Sequence, residues 1–420
     1  MDIDPNAEDD TYALFKHAVL SQPDSGTERT GPPPKHKCFR GMGYAGRFIT
    51  AEEMRGCNTA QCLLNKAHHS AAAEEPDDQD FEREGSFYLS GLCGHVCSRD
   101  GGGEEFVPAR HGVADAFVDS WVWQNVRYSE TAVPFHPACF DIFSRLSRTR
   151  FGYINVEALG NWIFDSNHDD VDHVSSDPNV RSSSRQWWDH LDGCEYLGAN
   201  PLIIPRLAPI LQAAIGKDDS FNPQNGAFDI PSNEGAEDVF SSLPLELRLQ
   251  TLSCLGSSDI ANLRLASRTF RQLPILLWRD LLLKEMPYLW EVWSDDLPFI
   301  WATVQFEDVV EHEKVEMEIR TWRTRTQDII KAELPETLDA WQQHVDEILL
   351  RRATSLWEKK RADTLEKMVT RLPALNTNWY KVYTGITRNW EELKGLQNRR
   401  RVWKDIGVIV EKLDEYTLPA

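Results

Sequence analysis

From Ser241 onward the apolar positions recur at steps of three and four. Leu338, Trp341, Val345, Ile348, Leu349 and Leu356 draw one stripe along a helix that Pro373 ends. Asn376 and Asn378 can cap a following helix with the stripe Trp379, Val382, Tyr383, Ile386, Trp390 and Leu393, which Gly395 interrupts. Leu396, Trp403, Ile406, Val410 and Leu413 continue the pattern, so residues 283–420 read as a Trp-rich helical domain whose helices pack on one another. Residues 38–211 are different. Short apolar pieces there are broken by Gly, Pro and Asp, as in Glu74–Asp78 and Arg99–Gly103, which predicts an irregular Cys/His-containing domain of short helices and few strands. Residues 212–240, rich in Asp, Asn, Ser, Gly and Pro, read as a linker, and residues 1–37, polar and stiffened by Gly31-Pro32-Pro33-Pro34, as a disordered tail. No fixed-period repeat marks a solenoid. The expected fold class is mainly α and multidomain, with a compact three-helix segment over 241–282 in the middle.

That segment carries the most local information. Pro244 suits a first helical turn, where its missing N–H is unpaired anyway, and Glu246 faces the positive end of the helix dipole. Gly256 is expected to stop this helix, Ser258 and Asp259 to cap a second with Ile260 and Leu263, and Ser267 to start a third with Phe270 and Leu273. Three helices in so short a span bury little by themselves. The first is apolar on two sides, Leu245, Leu249 and Leu252 along one and Leu247, Cys254 and Leu255 along another. One side is therefore expected to meet something else.

Leu243-Pro244-x-Glu246-Leu247, then Leu252, Leu255, Asp259-Ile260, Leu263-Arg264, Ala266-Ser267-Arg268, Phe270-Arg271 and Trp278 resemble the F-box motif in order and spacing. The resemblance implies docking on the Skp adaptor of an SCF ubiquitin ligase and, through it, on a cullin. It points to Leu243, Pro244, Leu247, Leu252, Leu255, Leu263 and Phe270 as adaptor contacts. Thr251 departs from the motif, which usually has an aliphatic residue there. Glu52–Cys57, Pro134–Phe140 and Leu393–Arg401 are similar to segments of a group of fungal F-box proteins.

Composition narrows the partners. A formal charge of -21 with a pI near 5.0 argues against a phosphate-tracking nucleic-acid binder. Met1-Asp2-Ile3-Asp4-Pro5 has neither a basic leader nor an apolar core, and no apolar run approaches a membrane span, so a cytoplasmic or nuclear location without membrane attachment is expected. Eight cysteines spread over 420 residues do not form a secreted disulfide framework.

Candidate chemistry is sparse. Cys57, Cys62, Cys93, Cys97, His136 and Cys139, with His68, His69 and His95 nearby, are zinc-ligand types gathered in one region, but no Cys-x2-Cys knuckle occurs among them. The expectation is no cofactor, with structural zinc as the alternative. Gly41-Met42-Gly43-Tyr44-Ala45-Gly46 matches a dinucleotide fingerprint without the flanking strand that binding requires, and His312-Glu313 lacks the second His of a zinc-protease helix. No catalytic residue is defined. Arg399-Arg400-Arg401 beside Trp403 reads as a solvated helix face, and adjacent Trp187 and Trp188 cannot share one face, so one of them can reach a partner.

The function expected from these readings is a non-catalytic adaptor that presents an unidentified protein substrate for ubiquitination. A metal-binding protein or metal-dependent enzyme built on the N-terminal Cys/His residues is the alternative. An F-box holding the adaptor in an assembly other than a ligase is a third.

Overall fold

A computed structural model describes residues 49–56, 59, 61–67, 79–92, 132–165, 174–175, 177–183, 193–216, 228, 238–304, 306–366, 368 and 371–417. The readings of residues 1–37, Gly41–Gly46, Cys57, His68, His69, Cys93, His95, Cys97 and Trp187–Trp188 lie outside them. In chain order the elements begin β1 (Gln61–Asn65), α1 (Asp80–Glu84), β2 (Phe87–Leu89), β3 (Ala132–Phe135), α2 (Pro137–Phe151), α3 (Val156–Asp165), α4 (Pro178–Ser183) and α5 (Leu207–Ala213). They continue with α6 (Leu245–Ser253), α7 (Ser257–Ala266), α8 (Ile275–Glu285), α9 (Phe306–Glu333), α10 (Leu338–Glu366), α11 (Trp379–Arg388) and α12 (Lys394–Lys412), joined in places by 3-10 turns. The fold is mainly α, as the periodicity predicts.

Two compact units form, and neither is one stretch of chain: residues 1–203, 298–367 and 394–420 make the first, residues 204–297 and 368–393 the second. The boundaries expected from composition follow the chain in sequence, whereas these units interleave.

In the first unit β1 lies between β2 and β3, antiparallel to both, with Leu63 opposite Leu89 on one side and Val133 on the other. Pro137 opens α2, and Gly152 ends it at φ 83, a left-handed conformation that favours glycine. Phe140 on α2 gathers the rings of Phe135, Phe143, Phe81 and Phe299, the nearest centroid at 4.9 Å. Asp141 and Arg145, both sealed from water, pair at 2.8 Å, and Asp141 also accepts the Phe299 N–H at 2.7 Å. Helix α12 packs on α2 and sends in Arg399, fully buried, whose Nε donates to the Pro201 carbonyl at 2.6 Å. The arginine run expected to be a solvated face is therefore split: Arg399 satisfies buried carbonyls and Arg401 pairs with Asp405 at 3.2 Å.

Helices α9 and α10 of the same unit form an antiparallel hairpin through a 3-10 turn at Pro335–Thr337. Trp322 meets Trp341 with ring centroids 6.1 Å apart, and Arg323 pairs with Asp346 at 2.6 Å. At its base the Arg55 guanidinium reaches Thr364 Oγ1 at 3.4 Å and Asp308 Oδ2 at 3.9 Å. The stripe expected to be core is only partly so, since Val345 is buried while Ile348 is half exposed.

In the second unit Trp278 on α8 packs on Tyr380 and Tyr383 of α11, with centroids at 5.0 and 5.2 Å. Residues 212–216, the start of the expected linker, instead finish α5 and pair with the entry to α11: Ile215 bridges Thr377, and the Gly216 N–H donates to the Asn376 carbonyl at 2.7 Å. Asn378 caps α11 as expected, accepting the Lys381 N–H at 3.1 Å, and Asn376 makes no such cap. The break before α12 falls at Asn389–Leu393, while Gly395 sits inside the first turn of α12.

Candidate functional site

Residues 238–285 form three helices on an aromatic core. Pro244 takes the N-cap position of α6, its carbonyl accepting the Arg248 N–H at 3.2 Å, and Cys254 ends the helix. Gly256 caps α7; the Ser257 N–H is satisfied by Glu285 Oε1 at 2.8 Å, and Ser258 and Asp259 lie within the first turn. The third helix, α8, begins at Ile275 after Pro274, whereas Ser267 opens only a short 3-10 turn over Arg268–Phe270. Leu252, Ile260 and Phe270 are fully buried, and the Phe270 ring meets Phe240 and Phe228 edge-on at 5.4 and 6.1 Å.

Asp238 closes the segment from its leading end. Its Oδ1 accepts the Phe240 N–H at 3.0 Å, while Oδ2 accepts the Ser267 hydroxyl at 2.5 Å and the Thr269 N–H at 2.9 Å. Partial desolvation pushes this carboxyl up, but the hydrogen bonds from Ser267, Thr269 and Phe240 outweigh it and hold Asp238 well below the usual carboxylate range. Asp238 was not among the sequence candidates. An Asp two residues before the Phe240 N–H it caps is a recognisable turn signal, but its second contact, 29 residues on, has no local signature.

The candidate contacts separate into three groups. Pro244 and Leu247 are exposed, Leu243, Leu255 and Leu263 are half-buried, and Leu252 and Phe270 are fully buried, with no surface to offer a partner. Both apolar sides of α6 are open: Leu245 and Leu249 on one are 53% and 40% exposed, and Leu247 on the other 47%. Val239 and Leu265 are more exposed still. Helix α6 therefore buries Leu252 and leaves most of its apolar surface outside. Thr251, the departure from the motif, is half-buried and turns its hydroxyl back to the Leu247 carbonyl at 2.8 Å, so no polar atom is stranded.

Of the metal candidates, Cys62, His136 and Cys139 are described. Cys62 is fully buried in β1, and burial pushes the Cys139 thiol up. Among the described residues no group of three His, Cys, Asp or Glu side chains is placed to hold an ion. No described helix is long and apolar enough to cross a membrane.

The family model of the F-box domain matches residues 240–274. The chain carries an F-box domain over these residues. The matched span covers α6, α7 and the 3-10 turn of Phe270, and stops at Pro274 just before α8. Among curated proteins this F-box chain is similar to an ATP-dependent RNA helicase, mss116, mitochondrial, of Aspergillus oryzae (strain ATCC 42149 / RIB 40), 46% identical over 46 residues. That alignment takes in 11% of this chain and 7% of the helicase, so the chain spans a small fraction of the relative it matches. No solved structure matches.

Proposed function

We propose that the chain is a non-catalytic SCF substrate receptor whose F-box seats α6 on a Skp-type adaptor, with the cullin reached through it. The observation that carries the reading is the uncovered apolar surface of α6: Leu245 and Leu249 on one side of the helix and Leu247 on the other stand half exposed, next to exposed Pro244. Full burial of a leucine stabilises by about 1.5–3 kcal/mol, so each half-exposed one gains roughly 1 kcal/mol on docking. Half-buried Leu243, Leu255 and Leu263 add to this surface, and Leu252 and Phe270 hold its shape from within. The first unit, which lies outside the F-box, is left to hold a protein substrate. This reading requires no cofactor.

The test is adaptor capture by a Leu245→Glu, Leu247→Glu double variant of the full chain. Loss of capture with an unchanged circular-dichroism spectrum is expected; capture at the unsubstituted level would remove the α6 face from the interface. Proximity labelling with and without proteasome inhibition, in the unsubstituted chain and this variant, identifies the substrate as the protein that accumulates only beside the former. A stoichiometric metal in the purified chain would instead favour the zinc-protein reading.

A further inference from the structure

The hairpin of α9 and α10 leaves an apolar seam open. Val315, Trp322 and Ile329 recur every seven residues on α9, and Leu338, Trp341, Val345 and Ile348 follow the three-and-four steps of a coiled-coil seam on α10. A sealed two-helix seam would bury them. Val345 is buried, yet Trp322 and Ile329 are each 51% exposed, Ile348 50%, and Leu334 at the tip 52%. Residues seven apart on a helix differ by only about 20° in direction, so the contact between Trp322 and Trp341 sets the two stripes side by side on one face.

Charge runs in blocks along the same helices. Residues 306–318 hold six acidic residues and one basic, and residues 319–333 hold four basic and two acidic. Residues 338–350 hold three acidic residues and no Lys or Arg, and residues 351–366 hold five basic and three acidic. Within the hairpin each acidic half therefore lies beside a basic half, as Arg323 and Asp346 illustrate. The same match arises between two hairpins. A two-fold axis in the plane of a face-to-face pair sets either α9 against α10 of the other copy, tip to tip, or each helix against its own copy, tip to base. Both arrangements bring every acidic half onto a basic one.

The face from Val315 to Leu334 is about 30 Å long and two helices, about 20 Å, wide. Pairing would bury on the order of 1,200 Å² in total, the lower end of specific interfaces. We propose that two copies of this chain associate reversibly through the open face of the α9–α10 hairpin.

Sedimentation velocity of the full chain over a concentration series tests this. The expected result is a mass rising from 48.1 kDa toward twice that value, and falling back as salt is raised. A Trp322→Glu, Ile348→Glu variant should stay monomeric with unchanged helicity, and an Arg320→Glu, Arg325→Glu variant, which alters only exposed charge, should associate more weakly. The Leu245→Glu, Leu247→Glu variant should self-associate normally, separating this surface from the F-box. A chain that stays at 48.1 kDa up to its solubility limit, or association that survives both hairpin variants, would overturn the proposal.

Discussion

Asp238 illustrates how one side chain can tie distant parts of a small segment together. It caps the turn that leads into α6 and accepts from Ser267 and Thr269, which close α7. Replacing it by Ala removes all of these bonds and is expected to cost about 1–2 kcal/mol, the range of a lost N-cap, measured by urea unfolding at neutral pH. The pH dependence follows from its depressed folded-state value. The contribution of Asp238 is complete above the unfolded value of about 3.9 and fades as pH falls from there through the folded value, so the gap between D238A and the unsubstituted chain should narrow in acid. Phe270 and Leu247 give a contrasting pair. Phe270→Ala should cost roughly 3–5 kcal/mol and lose adaptor capture together with the fold, whereas Leu247→Glu should leave the melting temperature nearly unchanged. The motif's spacing points to both residues and does not separate them, because buried and exposed apolar positions obey the same periodicity. Arg399 was misread for a related reason. A buried arginine that donates to the carbonyls of Pro201 and Leu202 looks, in sequence, like any other member of a basic run.

At the scale of elements, the helices of the F-box were legible because their apolar steps are short-range, and their starts were misplaced because the deciding contacts are not. Ser258 and Asp259 are good caps locally, but Gly256 takes that position and the Ser257 N–H finds Glu285, 28 residues away. Hairpin helix α9 was legible only as part of a helical region, since a seam that is half open carries few apolar residues to count. The sheet was anticipated no further than as few strands, and its closest packing depends on Gly160. A Cβ there would lie 2.2 Å from the buried Phe87 ring, so α3 can approach β2 only without a side chain at this position. Gly160→Ala is expected to destabilise the first unit by about 1–3 kcal/mol in thermal unfolding. Adaptor capture by the second unit supplies an independent readout.

For the whole molecule, composition shifts along the chain revealed changes of character but not returns. A segment that leaves a unit and comes back has no sequence mark, and residues 368–393 come back to lie against α8 through Trp278, Tyr380 and Tyr383. The matched F-box ends at Pro274, yet the helix that supports it is finished by residues about a hundred positions later. A fragment limited to residues 238–297 should therefore aggregate or unfold on its own. Residues 204–297 joined to 368–393 by a flexible linker should regain cooperative melting and adaptor capture.

This interleaving also imposes a schedule on synthesis. The exposed leucines of α6 leave the ribosome well before α11 is made, and translation from Leu297 to Leu393 takes on the order of 5–20 seconds at usual rates. During that interval Trp278 has no Tyr380 or Tyr383 to cover it. The nascent chain then presents two sticky surfaces, and the leucines of α6 stand as the exposed one only after the chain itself has closed the other.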